Sequence, residues 1–119
     1  MSEVTVAIVG WRKFKNYDLF KEKIEEWITK NGPIKKIVSG GAQGADNLAE
    51  KYAKEFNIEI VVYKADWTTL GRVAGIVRNT DIVNACDKLI AFASKESVGT
   101  FDSINKAKKS GKAVTIYNI

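Results

Sequence analysis

Histidine is absent from this sequence, and cysteine and proline occur once each. Each scarcity removes a class of chemistry. Without imidazole there is no histidine general base and no Ser-His-Asp or Cys-His triad. The lone cysteine, Cys86, excludes a disulfide within the chain, and without histidine beside it zinc sites of the Cys/His kind are excluded too. Cys86 lies in an apolar stretch and reads as a small buried hydrophobe. No apolar run reaches the ~18 residues of a membrane span. Met1 to Val9 lacks the basic start and the long apolar middle of a signal peptide. The expected compartment is therefore the cytoplasm, with no membrane partner. A single proline against nine glycines means that each glycine needs its own explanation.

What is present describes a folded chain. Its 119 residues suit one domain spanning 1–119, and 45% apolar with 28% charged residues is ordinary for a globular protein. Nineteen basic and fourteen acidic residues give a net charge of +5. That excess favours anionic partners, but it equally describes solvated lysines on helix faces. Lysines gather at Lys35-Lys36 and from Lys106 to Lys112 without forming a continuous basic run.

Apolar, β-branched runs alternate with stretches of helical spacing. Strands are predicted at Val4–Val9, Ile34–Ser39, Ile58–Tyr63, Lys88–Phe92 and Ala113–Tyr117. The first helix, capped by Asn16 or Asp18, carries Phe20, Ile24, Trp27 and Ile28 at helical spacing and stops at Asn31-Gly32-Pro33. A second helix runs from Ala45 to Phe56, a third from Val73 to Ala85 and a fourth from Gly99 to Lys109, with a loop around Ala65-Asp66-Trp67. The pattern βαβαβαβαβ implies an α/β, Rossmann-like three-layer sandwich around a five-stranded parallel sheet. The expected strand order is 3-2-1-4-5, with 2-1-3-4-5 as the other common solution.

Every unusual cluster follows a strand: Gly10-Trp11-Arg12, Gly40 to Asp46, Asp66-Trp67 and Ser97 to Asp102. Open α/β sheets bind ligands outside the carboxyl ends of their strands, so four loops are expected to converge on one crevice. Gly40, Gly41 and Gly44 allow positive φ and close approach, and the next helix turns its free N–H groups toward a guest such as phosphate. The same turn also reads as a tight strand-to-helix connection with no ligand. It is neither a P-loop nor the dinucleotide fingerprint, because both the residues and the glycine spacing differ. Ser97-x-Gly99-Thr100 repeats the logic, its hydroxyls serving either phosphate or a helix cap. Arg12 and Arg78 are candidate anion clamps, with a surface salt bridge as the alternative for Arg78. Gly75 and Asn79 belong to the same neighbourhood. Asp46, Asp66 and Asp102 can hold ribose hydroxyls or act as a base, while helix starts favour an acid at Asp46 and Asp102 in any case. A Mg²⁺ ion bridging carboxylate and phosphate is compatible with these acids, although no ligand spacing calls for a metal. Trp67 can stack on a base or cap the core.

Taken in order, Gly10-x-Arg12, Ser39-Gly40-Gly41-Ala42-x-Gly44-Ala45-Asp46, Ala65-Asp66-Trp67, Gly75-x-x-Arg78-Asn79, Ala91-Phe92 and Ser97-x-Gly99-Thr100-x-Asp102 resemble the YspA-type, cpYpsA-related SLOG family over essentially the whole chain. That family is similar to the Lonely Guy phosphoribohydrolases and to the DNA-processing proteins of bacterial transformation. The resemblance implies a Rossmann-like domain, found in bacteria and their phages, that senses or processes a nucleotide or nucleotide-derived ligand. It also implies self-association through outer helices, for which Trp27 or Tyr17 would offer an exposed side. Two alternatives follow: hydrolysis of the N-glycosidic bond of a nucleoside monophosphate, with Arg78 and Asp102 as catalytic residues and Asp46 as a substitute acid, and single-stranded nucleic-acid binding. The Lonely Guy enzymes carry a catalytic Arg, then Pro-Gly-Gly-x-Gly-Thr-x-x-Glu. Arg78-Asn79 resembles the first element and Gly99-Thr100 the core of the second. Ser103 stands where the Glu would be, and Asp102, one residue early, lies about 100° away around a helix.

Overall fold

The β-branched run at the start of the chain forms β1 (Val4–Gly10), and the alternation of its side chains divides the interior in two. Val6 and Ile8 point into one apolar layer, Ala7 and Val9 into the other. A strand covered on both faces needs continuous apolar sequence, which is why no polar residue interrupts Val6 to Val9. The computed structural model describes residues 4–119. Met1 to Glu3, part of the segment read against a signal peptide, lie outside it.

Around β1 the chain forms α1 (Tyr17–Asn31), β2 (Ile34–Ser39), α2 (Ala45–Glu55), β3 (Glu59–Val62), α3 (Trp67–Leu70), a 3-10 turn (Gly71–Val73), α4 (Ala74–Ala85), β4 (Lys88–Ala93), α5 (Val98–Lys109) and β5 (Ala113–Asn118). All strands are parallel, in the order β3-β2-β1-β4-β5. This is the Rossmann-like three-layer α/β sandwich and the strand order expected from the sequence. One layer holds α1 and α2, through Phe20, Ile24, Trp27, Leu48 and Tyr52, against Ile37, Ile90 and Phe92 of the sheet. The other holds α4 and α5, through Ile82, Val83, Ile104 and Ala107, against Val38, Leu89 and Ala91.

Local chemistry sets the boundaries. Asn16, rather than Asp18, caps α1, its side-chain oxygen accepting from Leu19 N–H at 3.1 Å. Gly32, at φ 95°, ends that helix. Lys112 Nζ donates to the carbonyls of Val83 and, at 2.7 Å, Cys86, so the turn before β5 brings a cation to the C terminus of α4. Cys86 is buried, its thiol donates to Val83 O at 3.4 Å, and burial pushes its pKa up.

Three expectations change. The loop around Ala65-Asp66-Trp67 contains a four-residue helix, because Asp66 Oδ1 accepts from Thr69 N–H at 3.1 Å and caps it. The third expected helix begins at Ala74, Val73 belonging to the 3-10 turn. Trp27 offers no exposed side for self-association. It is 1% exposed, since Phe20, Ile24 and Trp27 fall on the single stripe that α1 buries. Tyr17 is half-buried and donates from its hydroxyl to Glu55 Oε1 at 2.5 Å, which ties α1 to α2.

Candidate functional site

From β1 the chain moves outward in one direction to β2 and β3, then returns to lay β4 and β5 on the other side of β1. The connections after β1 and β4 therefore leave toward opposite faces, and a crevice opens between them. Here it is a cavity of about 520 Å³. Its floor is Val9, Gly10 and Ile82. One wall comes from Trp11, Arg12, Ala42 and Asp46, the opposite wall from α4 and from residues 96–100, 102 and 103 at the start of α5, and Trp67 and Arg72 also line it. A size of 300–1,000 Å³ is usual for small-molecule sites.

The N terminus of α5 opens into this cavity. The helix has twelve residues and begins after Ser97. Ser97 Oγ does not cap it; it accepts instead from Ser94 N–H at 2.9 Å and tightens the preceding turn. The backbone N–H groups of Gly99 and Thr100 consequently have no acceptor among the described residues. Unpaired donors at the positive end of a helix dipole are an anion seat. Thr100 and Ser103 line the same wall, and Ser103 Oγ is buried with no partner among the described residues.

The glycine-rich turn before α2 is built differently. Gly44, at φ 76°, packs against the backbone after β1: a Cβ there would stand 2.3 Å from Trp11 O. A Cβ on Gly40 would stand 2.6 Å from an Arg78 guanidinium nitrogen. These glycines bring protein segments together. The start of α2 meets the cavity through the Asp46 carboxylate, which is 7% exposed and accepts from Ala42 N–H at 3.1 Å. Burial raises the Asp46 pKa to about 6, against the lowering effects of the Ala42 N–H and the Arg78 charge. The start of α2 thus already holds an internal anion, whereas the start of α5 holds none.

A chain of hydrogen bonds ties the walls together. Arg78 donates from Nη1 to Gly40 O at 2.8 Å and from Nε to Asn79 Oδ1 at 3.0 Å. Asn79 Nδ2 donates to Gly99 O at 3.2 Å and to Asp102 Oδ2 at 3.1 Å. Lys106 Nζ adds a 2.9 Å ion pair to the same Asp102 oxygen. Arg78 and Asn79 therefore link the β2 loop, α4 and α5, and Asp102 is held by two donors.

Of the residues singled out from sequence, Gly10, Arg12, Asp46, Trp67, Arg78, Asn79, Ser97, Gly99, Thr100 and Asp102 line the one cavity. Ser39, Gly40, Gly41, Gly44 and Asp66 do not. Ser39 is buried at the end of β2, the glycines shape the turn and Asp66 caps α3. Sequence reasoning passed over Arg72, Ile76, Val98 and Ser103, which also line it. For Val98 a signal existed: a valine between Ser97 and Gly99 fits no core periodicity. Among the described residues no group of three or more cysteines and acids comes together as a metal centre, and no helix is long and apolar enough to cross a membrane.

A model of the family described as YAcAr, the YspA, cpYpsA-related SLOG family, matches residues 4–69. The chain is also similar to Gene 61 protein of Mycobacterium phage D29, at 32% identity over an alignment of 112 residues, with 89% of this chain and 90% of that protein covered. Among solved structures it is similar to DNA processing protein A from Helicobacter pylori, described for its single-stranded DNA binding mode, with a TM-score of 0.65 and 23% identity. That match covers 97% of this chain but 65% of the other, so this chain spans less than two thirds of it, and the likeness is one of fold.

Proposed function

Since the chain belongs to the YspA, cpYpsA-related SLOG family, we propose that it binds a cytoplasmic nucleotide, or a phosphate compound derived from one, in the cavity between β1 and β4. The carrying observation is the start of α5, where Gly99 and Thr100 present N–H groups without acceptors to a cavity of nucleotide size. Arg12, Arg72 and Arg78 line the same cavity and add positive potential. Asp46 and Asp102 supply acceptors for ribose hydroxyls, and Trp67 an aromatic surface for a base. Thermal unfolding against nucleoside mono-, di- and triphosphates, with and without Mg²⁺, tests this. A ligand at 100 times its Kd adds about 2.7 kcal/mol, or roughly 10 °C in a domain of this size. Arg12→Ala, an exposed substitution, should lose most of that shift. Absence of saturable binding at millimolar nucleotide would remove the reading.

Two alternatives have an observation each. Arg12, Lys13, Lys15, Lys64, Arg72 and Lys95 are all exposed on loops or turns at the carboxyl ends of the strands. This favours a single-stranded nucleic-acid partner, as does the fold likeness to a protein described as binding single-stranded DNA. Such binding would weaken steeply with salt; affinity for an oligonucleotide that ignores salt argues against it. Phosphoribohydrolysis needs an acid or base at the sugar. Asp102 is engaged by Asn79 and Lys106, so the buried Asp46 is the better acid for that reading. Chromatography after a long incubation with nucleoside monophosphates separates binding from turnover: release of free base lost in Asp46→Asn supports an enzyme.

Self-association belongs to the same family-based reading. Its candidate surface is formed by Val73 of the 3-10 turn, Val77 of α4 and Phe101 of α5, all exposed.

A further inference from the structure

The cavity's outer wall has a composition that speaks to which part of a nucleotide is recognised. Trp67 is 57% exposed, although it lines the cavity. Its benzo edge faces Gly75: the indole Cη2 and Cζ2 atoms lie 3.4 and 4.0 Å from where a Gly75 Cβ would stand. A Cβ there would meet the ring at ordinary van der Waals distance, and a longer side chain in this first turn of α4 would press against it. Beside the ring the wall continues with Ile76 and Val98, both apolar and both exposed. The polar groups gather elsewhere. The unpaired N–H groups belong to α5, and Asp46, Asn79 and Asp102 sit deeper, engaged by Ala42, Gly99 and Lys106. Glu96 and Arg72 are exposed at the edge, and Glu96 lies 3.8 Å from Lys13. The amide side chain in the lining, Asn79, which could read a base edge through paired donor and acceptor, is already bonded through both its oxygen and its nitrogen to Arg78, Gly99 and Asp102.

Resting on the nucleotide reading above, we infer that the site holds the base by stacking on Trp67 alone and is therefore indifferent to which base it is, selecting its ligands as 5′-phosphorylated nucleosides of any base. The lack of a long side chain at Gly75 leaves the ring room against α4. Stacking is tolerant of base identity because every base has a π-face.

The test is calorimetric titration of the full chain with AMP, GMP, CMP, UMP and ribose 5-phosphate. The four nucleotides should bind within about tenfold of one another, and ribose 5-phosphate more weakly by roughly 5- to 150-fold, the range of one base–aromatic stack. Trp67→Ala should bring all four nucleotides down to the level of ribose 5-phosphate and leave ribose 5-phosphate unchanged. Gly75→Leu should do the same by displacing the ring, while its greater helix propensity keeps the unfolding midpoint at or above that of the parent. One base bound more than about 100-fold tighter than the rest would overturn the inference, since stacking alone does not discriminate so far. Nucleotides unaffected by Trp67→Ala, or no tighter than ribose 5-phosphate, would overturn it as well, with the phosphate reading intact. Failure of all five to bind would remove the phosphate reading and this inference together.

Discussion

Asp46 is the residue whose energetics diverge most from its sequence-level appearance. As an acid in the first turn of α2 it would be expected to gain from the helix dipole. Burial outweighs that gain and raises its pKa from 3.8 to about 6. The folded state therefore binds more protons than the unfolded state between those two values. The stabilising contribution of the protonated carboxyl is complete below about pH 4 and is lost as pH rises to 6. At pH 7 the ionised carboxylate costs about 3 kcal/mol relative to an unperturbed one. Asp46→Asn, which keeps an oxygen for Ala42 N–H, should raise the unfolding midpoint at pH 7 by roughly 5–10 °C and match the parent near pH 4. Equal gains at both pH values would assign the effect to something other than ionisation. Asn79 has the opposite sign. It is buried and bonded to Arg78, Gly99 and Asp102, so Asn79→Ala should cost about 2–4 kcal/mol in urea unfolding, because it removes the acceptor of Arg78 Nε on its own helix and a donor to two acceptors on α5.

Elements were legible where their signal was local. β1 and β4 are largely apolar runs and could be placed from composition, β2 from Ile37-Val38 running into Gly40-Gly41, and α1 from its stripe. α3 was not, because Trp67-Thr68-Thr69-Leu70 has no periodicity and its helix exists through the Asp66 cap. The glycine turn was found but its use was not. Sequence shows that glycine is required; only the fold shows whether a ligand or the protein itself takes the space. Gly44 makes the distinction testable. With φ 76° and Trp11 O at 2.3 Å from the would-be Cβ, Gly44→Ala should destabilise by more than about 3 kcal/mol even without ligand, read as a fallen denaturation midpoint. A variant of parental stability that lost only ligand affinity would return this glycine to a direct binding role. The Arg78–Asn79–Asp102 chain was beyond sequence reasoning for another reason: its partners are up to 38 positions apart in sequence, and no local pattern encodes which distant carbonyl a guanidinium will meet.

At the scale of the molecule, topology was the most transferable part of the reading, since right-handed crossovers and alternating elements leave few arrangements. The surface was the least. Trp27, expected to keep one side exposed, is wholly buried, while Val73, Val77 and Phe101, with Val98 at 80% exposure, remain outside. If these side chains form one contiguous patch, it is a candidate surface for self-association. Sedimentation should find a dimer at tens of micromolar, and Val77→Glu with Phe101→Glu should return it to monomer without a change in fold. A monomeric parent would leave that face unassigned.

The junction of β1 with β4 unites residues far apart in the chain, with Val6 beside Lys88 and Gly10 beside Phe92, and the cavity opens along that junction. It is therefore a seam, closed on one side by the first half of the chain and on the other by the second. A molecule seated between Arg12 and the start of α5 would act as a stitch across it. Spontaneous partings of the two halves would become rarer, and the amide hydrogens of β1 and β4 would exchange with solvent more slowly together, while those of the outer strand β3 would keep their pace. Occupancy would then be written in the rate at which the centre of the sheet lets water in.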